Sequence, residues 1–141
     1  MIRSAFALGF VCACSALAVT LTPDEEASAR DVALQWLQLV DSGDYEHAVG
    51  QSPEQIGIQQ NWMSYLLARR TPLGRVKSRQ IVEVKRKPTI RGTQVWWKYI
   101  AIRLKTSFEH KPAAMEEVVL TKMACCWEVS GYTIESEPKR R

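Results

Sequence analysis

Histidine is scarce in this chain, with His47 and His110 the two among 141 residues. That scarcity leaves no set of paired histidines for a zinc site, and neither residue stands beside a Ser or Cys marked by a nucleophile motif. The seven glycines are dispersed, so no glycine-rich loop is available to cradle a phosphate. Internal repeats are missing as well, which sets aside solenoids and propellers. Nor is there a convincing membrane span. Ala5 to Ser15 is apolar and uncharged, but a span needs roughly 20 apolar residues, and Pro23-Asp24-Glu25-Glu26 arrives too soon to supply them.

The amino end has instead the three parts of an export signal. Arg3 supplies a positive start, Ala5 to Ser15 (AFALGFVCACS) the apolar middle, and Ala16-Leu17-Ala18 the small residues that a signal peptidase reads. Cleavage is expected after Ala18, which makes the chain periplasmic or secreted, with no integral span left after cleavage. A lipid anchor would need a Leu-Ala-Gly-like triplet before its cysteine. Val11-Cys12-Ala13 ahead of Cys14 is a poor match. The resulting division is residues 1–18 as signal peptide, 19–136 as one domain long enough to bury a core, and 137–141 as a basic tail.

Removing the signal also removes Arg3, so the formal charge of +4 becomes 4 − 1 = +3. The basic residues gather from Arg69 to Arg91 and again in Lys139-Arg140-Arg141. Nucleic acid is not an expected partner of an exported chain. Lys and Arg alternating along strands is the ordinary guard of an exposed sheet edge, and attraction to an anionic envelope surface is a second use of the same charge. Cys12 and Cys14 leave with the signal, and Cys125 and Cys126 remain. Adjacent cysteines in an oxidising compartment can close a vicinal disulfide or pair with another chain. The favoured expectation is two turn-proximal thiols without catalytic duty. No metal and no cofactor is expected, because two adjacent thiols lack further ligands.

Thr22-Pro23-Asp24-Glu25 reads as a helix start, with Thr22 as N-cap, Pro23 at the first helical position and Glu25 closing a capping box. Ala29, Ala33, Trp36, Leu37 and Val40 follow at helical spacing. Asp41-Ser42-Gly43 ends that helix, and Asp44 caps a short one from Tyr45 to Val49. Ser52-Pro53-Glu54-Gln55 repeats the start signal, and Trp62, Met63, Leu66 and Leu67 carry a third apolar face up to about Arg70, where Thr71-Pro72 stops it. From Gly74 the period changes to that of strands. Arg75 to Lys87 places Val76, Val82 and Val84 on one side, with Lys77, Arg79, Glu83 and Lys85 largely on the other. Gln94 to Phe108 is a second strand, His110-Lys111-Pro112 a turn, and Met115 to Lys122 and Trp127 to Glu135 the third and fourth strands. The fold class is α+β, with N-terminal helices covering a curved four-stranded antiparallel sheet.

Trp36-Leu37-x-Leu39-Val40-Asp41-x-Gly43-Asp44-Tyr45, then Trp62, Pro72-Leu73-Gly74, Ser78-Arg79 and finally Trp127-x-Val129-x-Gly131-Tyr132 together resemble the bacterial domain-of-unknown-function family 4019. The likeness covers most of the chain after the signal. It implies a small, often exported protein with no established activity, and a layout like the nuclear-transport-factor-2-like cone, in which helices fill the concavity of a sheet and leave a pocket. At Met123-Ala124-Cys125-Cys126 the chain departs from the polar, Gly-containing turn usual there.

Trp36, Trp62, Arg79, Trp97 and Tyr99 are the candidates for such a pocket. The aromatics are core residues first, each burying a large area. Adjacent Trp96 and Trp97 must point to opposite faces of their strand, so one of them lies outside the core. Arg79 matches a place in the family pattern. Its direction is left open by alternation, and a structural ion pair competes with a ligand role. Asp41, Asp44, Tyr45 and His47 lie close enough in sequence for an Asp/Tyr acid–base pair, although helix capping explains both aspartates. The expected function is a non-enzymatic binding or interaction module of the cell envelope, its partner an envelope protein or a small apolar ligand. The alternative is a pocket enzyme of the cone type. A homodimer through the sheet face is a third reading.

Overall fold

The structure, a computed structural model, describes residues 22–53, 59–87, 98–123 and 125–137. The signal peptide, Glu54 and Gln55 of the second start signal, Trp96, Trp97 and the end of the basic tail lie outside the described residues.

Helix α1 spans Pro23–Asp41 and opens on the expected capping box: Thr22 Oγ1 accepts from the Glu25 amide at 3.2 Å, and Glu25 Oε2 accepts from the Thr22 amide at 3.4 Å. Its buried face is the one the spacing predicts, Ala29, Ala33, Trp36, Leu37 and Val40. Gly43, at φ 79°, turns the chain in the left-handed region that glycine enters without a Cβ clash. Asp44 then caps α2 (Tyr45–Gly50).

Helix α3 (Gln59–Tyr65) runs into a wide π turn at Leu66–Arg70 and a 3₁₀ turn at Thr71–Leu73. Thr71-Pro72 therefore does not end the helical path; Gly74, at φ 74°, does. The π turn also corrects the expected apolar face. With the turn widened, Leu66 and Arg70 are buried, and Leu67 is 55% exposed.

Four antiparallel strands follow in sheet order β1-β2-β3-β4: β1 Val76–Lys87, β2 Lys98–Phe108, β3 Lys111–Met123 and β4 Cys126–Ser136. The sheet is open and the helices precede it, which is the expected α+β class. Three details depart from the sequence reading. Lys111 and Pro112 belong to β3 rather than to a turn, because Glu109 and His110 suffice to reverse the chain. The register shifts between Ile81 and Glu83, leaving Val82 as the extra residue of a bulge and 50% exposed. Beyond that slip the alternation changes sides, so Arg79, Ile81 and Val84 share the helix-facing side and the expected grouping of Val82 with Val84 fails.

On that side β1 pairs Ile81 with Leu104 and Val84 with Ile102, and β2 and β3 continue the rows through Leu104–Glu116, Ile102–Val118 and Ile100–Leu120. Trp127, Val129 and Tyr132 complete them on β4, where a second shift between Val119 and Leu120 absorbs Ser130. The core lies between this face and α1, with α2, Leu66 and part of Trp62 closing one flank.

Candidate functional site

The most apolar row of β3 contains a carboxylate. Ala114, Glu116, Val118 and Leu120 all face the helices and all are buried, Glu116 with 0% exposure. An ionised carboxylate there costs several kcal/mol unless it is paired and hydrogen-bonded. Glu116 has four donors: Arg79 Nε at 2.8 Å, Arg79 Nη2 at 3.1 Å, Tyr132 Oη at 2.5 Å and Thr106 Oγ1. Cross-strand register supplies them. Thr106 pairs with Arg79 on β1, and Val118, one pair along from Glu116 on the same face, lies opposite Tyr132.

Arg79 continues the network into α1. Its Nη1 donates to Asp41 Oδ2 at 2.6 Å and its Nη2 to Asp41 Oδ1 at 3.0 Å. Arg70 donates to the same Asp41 oxygen at 3.1 Å and to the Gly74 carbonyl at 2.7 Å, and its guanidinium stacks 4.7 Å from the centroid of Phe108. Two guanidinium groups and two carboxylates thus balance in charge. Burial opposes the cation on Arg79, but the hydrogen bonds to Asp41 and Glu116, with their charges, outweigh it and raise its pKa. Burial, and then the Glu116 carboxylate, push the Tyr132 phenol well above its usual range, so Tyr132 keeps its proton and donates it. Arg79 thus makes a structural ion pair, with Asp41 at the end of α1 and with Glu116, while Glu83 lies near Lys85 and Arg103.

Trp36 joins this network to the helices. Its Nε1 donates to the Ala48 carbonyl of α2 at 2.8 Å, and its ring meets Tyr132 edge-on at 5.1 Å and Trp62 at 5.7 Å. Tyr99 is also buried, but alternation puts it on the sheet face away from the helices, opposite Thr121. Trp97 lies outside the described residues. The pocket candidates are thus not gathered: Trp36 and Trp62 touch, Arg79 serves the ion network, and Tyr99 faces the other way.

A cleft of about 580 Å³ opens elsewhere, between α1, residues 50–53 and the start of β4. Trp36, Val129 and Trp127 back the cleft but are almost wholly buried, and with Gln35, Gln51 and Glu128 among the lining its accessible surface is more polar than apolar. Cys126 stands at its edge, joined to Cys125 in a disulfide, the vicinal bridge that adjacent cysteines can close in place of two thiols. Sequence reasoning marked Trp36 and Trp127 but had no means of pairing them with residues 50–53.

Asp44 and His47 sit apart from these groups. Asp44 caps α2 and pairs with His47 Nδ1 at 2.8 Å, which lowers the acid's pKa and raises the imidazole's. Among the described residues no three His, Cys, Asp or Glu side chains cluster in a way that could hold a metal ion, and no helix is long and apolar enough to cross a membrane.

No curated protein and no solved structure matches the chain, and no neighbour confirms the likeness to the nuclear-transport-factor-2-like cone. A family described as "Protein of unknown function (DUF4019)" does match, over residues 32–132, a span that holds the cleft's Trp36 and Trp127 and the whole of the Asp41–Arg79–Glu116–Tyr132 network; the chain belongs to this family.

Proposed function

We propose that the chain is an exported, non-enzymatic binding module, and that the cleft between α1 and β4 takes a small ligand with an apolar body and a hydrogen-bonding end. The cleft carries this reading. Its volume of about 580 Å³ falls in the range of small-molecule sites, which pair an apolar wall with a few polar groups that orient the ligand. Here the nearly buried Trp127 and Val129 back the cleft, and Gln35, Gln51 and Glu128 are the orienting groups of a lining that is more polar than apolar. Export rests on Arg3, the apolar stretch Ala5 to Ser15 and the Ala16-Leu17-Ala18 cleavage signal.

An acid–base enzyme is less well supported by the same geometry. Both Asp41 oxygens accept from arginines, and Glu116 is saturated by Arg79, Thr106 and Tyr132. A general base needs a lone pair directed at substrate. Neither carboxylate lines the cleft.

The test uses anilinonaphthalene sulfonate as the probe, with titrations of the folded chain followed by fluorescence and by amide chemical shifts. Shifts confined to Val32, Gln35, Gln51, Trp127 and Glu128 are expected, together with loss of binding in Gln35→Trp, which fills the cleft from an exposed position on α1. Unchanged binding in a folded Gln35→Trp variant would remove the cleft from consideration. Export is checked separately, by whether the mature protein recovered outside the cytoplasm begins at Val19.

A further inference from the structure

The β3–β4 hairpin ends in a disulfide between neighbours in sequence, Cys125 in the turn and Cys126 as the first residue of β4. Both residues are exposed, and Cys126 forms part of the cleft edge beside Trp127. A bridge between adjacent residues closes a ring containing a single peptide unit. It therefore lacks the loop-closure entropy through which ordinary disulfides stabilise folds. Strained, exposed disulfides are the readily reduced ones. The fold does not depend on this one, because Met123 and Cys126 are already paired in the β3–β4 ladder and neither cysteine belongs to the core.

We propose that the Cys125–Cys126 bridge is a reversible thiol-exchange site at the mouth of the cleft, its co-reactant a low-molecular-weight dithiol. A thiolate of the dithiol attacks Sγ of Cys125 from the solvent side. The Cys125–Cys126 bond breaks, a bond forms between the dithiol sulfur and Cys125, and the electron pair leaves on Sγ of Cys126, which takes a proton from water. The second thiol of the reductant loses its proton and attacks its own sulfur bound to Cys125. Cys125 departs as a thiolate and is protonated. The protein has then gained two electrons and two protons, and the dithiol has become a cyclic disulfide. The cleft edge changes from an apolar bridge to two thiols that donate weak hydrogen bonds and can ionise. This inference does not rest on the cleft holding a ligand.

The experiment is alkylation of the folded full chain followed by peptide mass mapping. The peptide after Lys122 holds Cys125 and Cys126 and is separate from any peptide with Cys12 or Cys14. Without reductant this peptide should carry no alkyl group and weigh two hydrogens less than the dithiol form. With millimolar dithiothreitol it should carry two alkyl groups while the far-ultraviolet circular dichroism is unchanged. A sample reduced but not alkylated, freed of dithiothreitol and given oxidised glutathione, should return to the bridged mass and again take up no alkyl group. The double variant Cys125→Ser, Cys126→Ser should fold and lose the label, and Gln35→Trp should keep it, which separates this result from that of the ligand titration. Two alkyl groups before any reductant would overturn the proposal, as would labelling that appears only after the chain is unfolded in guanidinium.

Discussion

Arg79 is valuable to the fold for what it neutralises. Glu116 has no exposure, and the Arg79 side chain is 13% exposed, so their pair sits on the dry side of the sheet. Removing one partner of a buried pair strands the other charge, at about 3–5 kcal/mol. Arg79→Ala should therefore lower stability by that amount in urea denaturation. Glu116→Gln keeps an acceptor for Tyr132 and leaves Arg79 its two bonds to Asp41, so its expected cost is smaller, roughly 1–3 kcal/mol. The double variant should cost clearly less than the sum, because the stranded carboxylate that makes Arg79→Ala severe is then uncharged. Strict additivity would mean that Glu116 is not held as an anion by Arg79. Half of this pair was legible in the sequence. Arg79 stood out, but its direction depended on the bulge at Val82, which alternation alone does not reveal. Glu116 does carry a signal in the sequence, an acid in the row Ala114, Val118, Leu120, where every other second residue is apolar. The sequence shows Asp41 as a helix-end residue, and its reach to Arg70 and Arg79 needs the fold.

Among the elements, α1 and α2 were the most readable because caps and glycines act over a few residues: Thr22, Asp44 and Gly43 each perform the local role their chemistry suggests. The third helical segment was less so, since a π turn leaves no mark in composition and rotates Leu67 out of the face that regular spacing assigns it. The same segment separates two tryptophans that look equivalent in sequence. Trp36 is wholly buried, bonds the Ala48 carbonyl and contacts both Tyr132 and Trp62. Trp62 is only partly buried, packing on the edge of the core. Trp36→Ala should cost about 3–5 kcal/mol, and Trp62→Ala roughly 1–3 kcal/mol. Thermal unfolding of the two variants side by side checks the order, and equal losses would show that α3 covers the core as fully as α1 does.

At the scale of the molecule, α1 is a beam about 28 Å long, fixed to the sheet near both ends. Asp41 ties its last turn to Arg79 of β1, and Trp36, little more than a turn earlier, wedges it against β4. The first turn is held by Glu25, which accepts from Lys98 of β2 at 2.8 Å and from Lys122 of β3 at 3.3 Å while closing the capping box. The Lys98 hydrogen bond, followed by the Thr22 amide, lowers the Glu25 pKa from 4.5 to about 2. A carboxyl group whose folded pKa is depressed contributes stability above its unfolded value, and that contribution fades as pH falls through the folded value. The window here is therefore pH 4.5 down to about 2. Glu25→Gln is the suitable variant, since Gln also satisfies the capping box and removes only the charge. The difference in urea midpoint between wild type and Glu25→Gln should be constant above pH 4.5, shrink as the medium becomes more acid, and vanish near the bottom of the window. Added salt should diminish it at neutral pH, because the lysines that hold Glu25 are partly in water. A difference that persisted unchanged down to the lowest pH would show that α1 is fixed at this end by its cap and its buried face, with the two lysines contributing nothing to its docking.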